Sequence, residues 1–196
     1  MLIFIKMSKD SEKTVVSRIG SIEVICGPMF SGKTEELLRR LRRATYANQR
    51  IAIFKPVIDV RYSELNIVSH DSNFYPSLMI SKASDILKNK GTSQIVALDE
   101  AQFFDDLLPE ILENLAQEGI RVIVSGLDMD YIGKPFGPMP ELLALADNVS
   151  KLTAICLVCG AEATHTFRKT KGNQRIMIGA KDLYEPRCRK CFYEIK

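Results

Sequence analysis

Short, almost wholly apolar runs alternate along this chain with longer segments in which apolar residues return every three or four positions. Ser21-Ile22-Glu23-Val24-Ile25-Cys26, Arg50-Ile51-Ala52-Ile53-Phe54, Ile95-Val96-Ala97-Leu98 and Ile120 to Val124 read as buried strands, the second stopped by Pro56. Leu37, Leu38 and Leu41 fall at helical spacing, and further helices are predicted over 83–89, 106–117 and 139–146. Strands apolar on both faces, each followed by a helix, predict an α/β fold with a mostly parallel sheet covered on both sides. Residues 56 to 80 are polar and irregular, and a loop that long is more often functional than idle. Near residue 151 the chain turns rich in Cys, Gly, Lys and Arg, with short strands at most. The expected organisation is a flexible extension over 1–18, a core domain over 19–150 and a small C-terminal domain over 151–196.

Composition changes this picture little. Hydrophobic residues make up 46% and charged residues 26%, ordinary for a globular protein. The net charge of +3 is too small to imply nucleic-acid binding by itself. No apolar run approaches the roughly 18 residues of a membrane span. The opening MLIFI is too short for a secretory signal's apolar core, so a cytoplasmic protein is expected, with Met7 a second candidate start.

Three patterns carry chemistry. Gly27-Pro28-Met29-Phe30-Ser31-Gly32-Lys33-Thr34 fits G-x-x-x-x-G-K-[ST] between a predicted strand and a predicted helix. Such a loop turns backbone N–H groups around an anion, while the helix N-terminus adds partial positive charge. Lys33 can then reach the β- and γ-phosphates of ATP, and the Thr34 hydroxyl can ligate Mg²⁺. The arginines that follow (Arg39, Arg40, Arg42 and Arg43) read mostly as a solvated helix face.

The second pattern is IVALDEAQFF, where an apolar strand ends in Asp99-Glu100. Asp99 is the candidate carboxylate on the Mg²⁺ side and Glu100 the candidate general base. Asp105 and Asp106 read as helix N-terminal residues. His70 and His165 each read as ordinary surface or loop residues. The third pattern is Cys156-x-x-Cys159 and Cys188-x-x-Cys191, four thiolates suited to tetrahedral structural Zn²⁺. The segment 160–187 between the pairs is longer than a zinc ribbon's usual 15–20 residues. Something is looped out there, and a loop anchored by metal at both ends can lie over a ligand. Cys26 reads as a small buried side chain in its strand.

The strings GPMFSGKT, KPVIDVRY, LDEAQFF, GLDMDYIGKPFGP, KLTAICLVCGAEATHT and the final C-x-x-C together resemble the thymidine kinase family of the zinc-containing, P-loop type. The resemblance runs from about Ser21 to Tyr193. It implies a RecA-like P-loop core with a zinc-binding lasso domain. It also implies transfer of the γ-phosphoryl group of ATP to the thymidine 5′-hydroxyl, a homotetramer, and feedback inhibition by thymidine triphosphate. Carried over position by position, Gly27 to Thr34 would hold the phosphates, with Asp59, Val60 and Arg61 flanking them. Asp99 would sit at Mg²⁺, Glu100 would be the base, and Gln102 would lie beside the phosphates. Met29, Phe103, Tyr131 and Phe136 would wall the nucleoside. The lasso, Thr166 to Tyr184, would place Arg175, Ile176, Met177, Ile178 and Gly179 over the base and Tyr184 near the sugar. Tyr131 stands where the family usually has Phe, and Arg175 where an apolar residue is common.

Two rivals share the phosphate loop. One is an ATP-dependent nucleic-acid-binding protein with a RecA-like core and zinc ribbon, supported by the basic residues Arg168, Lys169, Lys171, Arg175, Arg187, Arg189 and Lys190. The other is a kinase for a different small molecule.

Overall fold

Both faces of the central sheet are greasy because its strands carry almost no polar alternation. The computed structural model describes residues 19–57, 66–68, 74–170 and 183–194. The N-terminal part comprises β1 (Ser21–Cys26), α1 (Lys33–Tyr46), β2 (Ile51–Pro56), β3 (Asn66–Val68), β4 (Phe74–Pro76), β5 (Leu78–Ile80) and α2 (Asp85–Asn89). There follow β6 (Ile95–Leu98), a 3-10 turn (Ala101–Phe103), α3 (Leu108–Gln117), β7 (Arg121–Gly126), α4 (Met139–Leu145) and β8 (Asn148–Lys151). The C-terminal part holds β9 (Ala154–Ile155), β10 (Glu162–Ala163), β11 (His165–Arg168), β12 (Tyr184–Arg187) and α5 (Arg189–Glu194).

The main sheet has the order β5-β2-β6-β7-β1-β8, and every pairing within it is parallel. This is the expected α/β architecture. Ile22, Val24, Cys26, Val96, Leu98, Val122 and Val124 face one side, against Leu108, Leu112 and Leu115 of α3 and Met139 and Leu142 of α4. Ile25, Ile53, Ile95, Ala97 and Ile123 face the other, against Leu37, Leu38, Leu41 and Ala44 of α1. Full burial of a Leu or Ile side chain contributes about 1.5–3 kcal/mol, so the two layers hold the strand ends firmly. Cys26 is buried as expected, and burial pushes its thiol up to about 11.

Several boundaries differ from the sequence reading. The sheet has two edge strands, β5 and β8, that the apolar pattern does not mark. β5 lies inside the segment expected to be irregular, as do β3 and β4. β2 continues through Lys55 and Pro56. Its pairing with β6 ends at Phe54, so the N–H that Pro56 lacks removes no bond on that side. α3 begins at Leu108 rather than 106, because the Asp105 carboxylate accepts the N–H groups of Leu107 and Ala83 in the turn before it. The expected extension, 1–18, lies outside the described residues.

Arg40 departs from the solvated-face expectation. It is 8% exposed and donates to Glu36 (2.8 Å), Glu23 (2.6 Å) and Ser150 (2.7 Å). Burial opposes ionisation of Glu23, but Arg121 and Arg40 outweigh it and hold the carboxyl below its ordinary range. This network lines a cavity of about 490 Å³ at the amino ends of β1, β7 and β8. The motif residues gather at the opposite, carboxyl ends of the strands, where open parallel sheets bind ligands.

Candidate active site

The phosphate loop leaves the carboxyl end of β1 and runs into α1. At Gly27 (φ +142) a Cβ would meet the Leu152 carbonyl oxygen at 2.3 Å, so the chain passes the start of the C-terminal part too closely for any side chain. Phe30 holds a left-handed backbone (φ 67), a local strain of the kind that collects in ligand-binding loops. The first turn of α1 leaves its N–H groups without partners inside the helix, facing the loop. The Lys33 ammonium donates to the Pro28 carbonyl at 2.7 Å, and the Ser31 hydroxyl donates to the same oxygen at 2.8 Å. The lysine is thus folded over its own loop.

Asp99 stands past the end of β6, 4% exposed. The Thr34 hydroxyl lies 3.5 Å from its Oδ2, at the outer limit of a hydrogen bond. A hydroxyl and a buried carboxylate beside a phosphate loop are hard oxygen donors of the kind Mg²⁺ prefers. Glu100 is left-handed (φ 55), the turn that lets two adjacent acids leave one strand end toward the same region. Gln102 then bridges two strand ends. Its amide nitrogen donates to Glu100 Oε2 at 2.6 Å, and its amide oxygen accepts the Leu127 N–H at 2.9 Å.

Gln102 is held from behind by Gly137 (φ +50), where a Cβ would lie 2.2 Å from the Gln102 carbonyl oxygen. Gly137→Ala is expected to cost about 1–2 kcal/mol for the left-handed backbone alone. The clash adds to this and shifts the Gln102–Glu100 pair. Thermal midpoint and turnover should fall together, and a variant normal in both would show that the strut has room to move.

The loop after β7 is a small hairpin. Asp130 accepts the N–H groups of Ile132 and Lys134, each at 3.0 Å, and Met129 bridges to Pro135. It presents Tyr131 and ends in Phe136, whose ring meets Phe103 edge-on at 5.5 Å. From the C-terminal part, the Thr166 hydroxyl accepts the Met29 N–H at 3.0 Å, which ties β11 to the phosphate loop. Tyr184, 7% exposed, pairs with Arg168 across the β11–β12 ladder. The structure therefore brings together Thr34 with Asp99, Glu100 with Gln102, Phe103 with Phe136, and Met29 with Thr166. Asp59, Val60, Arg61 and Arg175 to Gly179 lie outside the described residues, as does His70.

The sulfurs of Cys156, Cys159, Cys188 and Cys191 all lie within 4.8 Å of one another. Zn–S bonds of about 2.3 Å in a tetrahedron put the sulfurs about 3.8 Å apart, so the four residues fit the ion. Their chemistry agrees. Burial raises the Cys156 thiol, but N–H groups of Cys188, Val158 and Cys159 outweigh that and bring it down to about 6. Burial and the three neighbouring sulfurs push Cys191 up to about 12. Four crowded sulfurs ionise together only around a cation.

His165 is not a surface residue. It is 1% exposed and stacks on Phe192 with ring centroids 4.5 Å apart. Burial lowers its tendency to protonate, and Arg189 adds to that. Two arginines of the expected basic cluster are likewise buried. Arg168 lies 3.6 Å from the centroid of the Tyr131 ring, and Arg187 lies 3.4 Å from that of Phe167. Sequence reasoning missed both, since spacing along the chain gives no sign of an aromatic partner far away. Among the described residues no helix is long and apolar enough to cross a membrane.

A family model described as thymidine kinase matches residues 20–192. A thymidine kinase of Porphyromonas gingivalis is 53% identical over 175 residues, covering 89% of this chain and 86% of its own length. One from a Rhodothermus species is 55% identical over 174 residues, covering 89% and 82%. One from Bacteroides thetaiotaomicron is 54% identical over 175 residues, covering 89% and 88%.

Proposed function

Since the chain belongs to the thymidine kinase family, whose reaction is the phosphorylation of thymidine by ATP, we propose how its own residues carry that reaction out. The γ-phosphoryl group passes to the thymidine 5′-hydroxyl, giving thymidine monophosphate and ADP. The loop Gly27 to Thr34 holds the phosphate chain, with backbone N–H groups other than those of Pro28, which has none, and Met29, which donates to Thr166. Lys33 exchanges its bond to the Pro28 carbonyl for the phosphates. Thr34 and Asp99 would hold Mg²⁺, which would supply positive charge to neutralise the phosphates. Glu100, steadied by Gln102, takes the 5′-hydroxyl proton. Met29, Phe103, Tyr131 and Phe136 pack against the nucleoside, with Thr166 and Tyr184 closing from β11 and β12. Asp59, Val60 and Arg61 complete the phosphate site and Arg175, Ile176, Met177, Ile178 and Gly179 the cover over the base. Those two assignments rest on the resemblance alone.

The observation that carries the reading is the meeting of Thr34, in the first turn of α1, with Asp99 past the end of β6, with Glu100 beside them. The same reading takes residues 19–150 as the ATP-binding domain and 151–196 as a zinc-binding domain with structural Zn²⁺ on the four cysteines. It takes a cytoplasmic homotetramer inhibited by thymidine triphosphate, acting on no nucleic acid. The buried stacking of Arg168 and Arg187 supports it, because these side chains serve internal aromatic contacts rather than a solvated basic face.

Purified protein with ATP and Mg²⁺ should convert thymidine to its monophosphate, with other nucleosides and single-stranded DNA as controls. Lys33→Ala is expected to lower kcat by about 10²–10³-fold, since it removes a preorganised charge from the developing phosphoryl transition state. ATP affinity falls with it, while thymidine binding in the absence of ATP stays. A Lys33→Ala enzyme with normal turnover would remove the phosphate loop from the mechanism.

A further inference from the structure

β11 touches different things with its two faces. Successive strand residues point to opposite sides, so His165 and Phe167 share one face and Thr166 and Arg168 the other. The first face is fixed to the cysteine module. His165 stacks on Phe192, and Phe167 meets the same ring edge-on at 6.3 Å. Phe192 directly follows Cys191 on α5. The second face meets the core: Thr166 accepts the Met29 N–H of the phosphate loop, and the Arg168 guanidinium lies over Tyr131.

The hairpin carrying Tyr131 also leans on this module. A Cβ at Gly133 would come within 3.2 Å of the Phe192 ring and 3.3 Å of the Tyr193 hydroxyl. Within the hairpin, Asp130 fixes the backbone on the far side of Tyr131 through the N–H groups of Ile132 and Lys134. Backbone bonds set where the Tyr131 Cα is, but they do not set its ring. The group lying on the ring is Arg168, 7% exposed and held in the β11–β12 ladder opposite Tyr184. A guanidinium is planar, weakly hydrated and always charged, so it stacks on an aromatic face better than an ammonium does. Removed from water, such a contact is strong enough to select one ring orientation.

We propose that Arg168 is a positioning residue for the thymidine pocket, setting the Tyr131 ring against which the pyrimidine packs and so linking the cysteine module to nucleoside affinity. The proposal rests on the reading of Tyr131 as part of the nucleoside wall. Arg168 acts through that ring and takes no part in phosphoryl transfer.

The test is a double-mutant cycle on the full-length protein. Arg168→Met keeps the length of the side chain and removes the planar charge. It is expected to raise thymidine KM, and thymidine Kd by calorimetry, by about 2- to 30-fold, the span of cation–π contacts from exposed to desolvated. ATP KM and kcat should stay within about twofold and metal content should be unchanged. Arg168→Lys, which keeps the charge, should show a smaller rise, and it carries the test if the methionine variant fails to fold. In a Tyr131→Leu background, Arg168→Met should add nothing further. Unchanged thymidine affinity in the arginine variants overturns the proposal, as does a rise of full size on top of Tyr131→Leu. Equal loss of kcat, ATP affinity and metal would make Arg168 a structural residue only and also overturns it. If Tyr131→Leu alone leaves thymidine affinity intact, the nucleoside-wall reading itself is wrong, and the proposal falls with it by a different signature.

Discussion

Glu100→Gln is expected to lower kcat by about 10²–10⁴-fold, the usual contribution of a positioned general base, while thymidine and ATP affinities stay close to those of the unaltered enzyme. The size rests on what the substitution preserves. Glu100 stands on a left-handed turn after β6, with Gln102 donating to its Oε2 at 2.6 Å. A glutamine there has the same length, and its amide oxygen can still accept from Gln102, so the turn and the strut survive. Only the capacity to take the 5′-hydroxyl proton is lost. His165 offers no substitute, since it is stacked and buried in the C-terminal part. Single-turnover measurement shows whether chemistry limits the rate. Retention of more than about a third of kcat under that condition would remove the base assignment. Lost thymidine binding with normal chemistry would make Glu100 a residue that places substrate.

Removal of metal from the cysteine cluster should have the largest effect on structure. Structural zinc sites contribute about 10–16 kcal/mol of apparent binding energy that is also folding energy. That matches or exceeds the entire stability of a typical domain, about 5–15 kcal/mol. Beside the cysteines, the described C-terminal residues are held by the rings of His165 and Phe167 against Phe192, which itself follows a cysteine of the cluster. β9 with β10 and β11 with β12 form short two-stranded ribbons, and the buried cluster beneath them is Ala154, Ala163, Cys156, Cys188 and Cys191. Chelation, or Cys188→Ser, should therefore free residues 154–194 to proteolysis while α1, α3 and the main sheet stay folded. Thymidine affinity should fall sharply, because Thr166, Arg168 and Tyr184 leave together, and ATP affinity should fall much less. Metal analysis of native protein should give about one zinc per chain. A metal-free protein with an intact C-terminal part and full thymidine affinity would defeat this account.

What could be read in advance followed from locality. The phosphate loop, the Asp99-Glu100 pair and the two C-x-x-C motifs each lie within a few residues, so their chemistry is written in one stretch of chain. The central strands were legible because burial on both faces demands unbroken apolar runs. β8 was not, since an edge strand such as Asn148–Lys151 is exposed over most of its length and carries only Val149 as an apolar residue. β5, three residues behind Pro76 and Ser77, is too short to show a period. Arg168 and His165 were misread for another reason. Their surroundings depend on Tyr131 and Phe192, which only the folded chain brings near, and a basic residue or a lone histidine looks solvated until its neighbours are known. Gly137 is of the same kind, since its constraint is a carbonyl 35 positions away (Gly137 against Gln102).

The order of strands in the sheet also has a consequence on the ribosome. β1, which launches the phosphate loop, is flanked by β7 and β8, with Cys26 opposite Gly126 on one side and Lys151 on the other. Its first neighbour is made about 100 residues after it, roughly 5–20 s later at ordinary rates of translation. Until then β1 has no lateral partner, β2 can pair only with β5 and β6, and the apolar face of α1 has only part of a sheet to rest on. A nascent chain released before β7 emerges cannot hold a nucleotide, however complete its phosphate-binding sequence. The loop that is translated first is thus among the last parts to become functional, and a chain stalled midway presents its stickiest strands to the cell for as long as it waits.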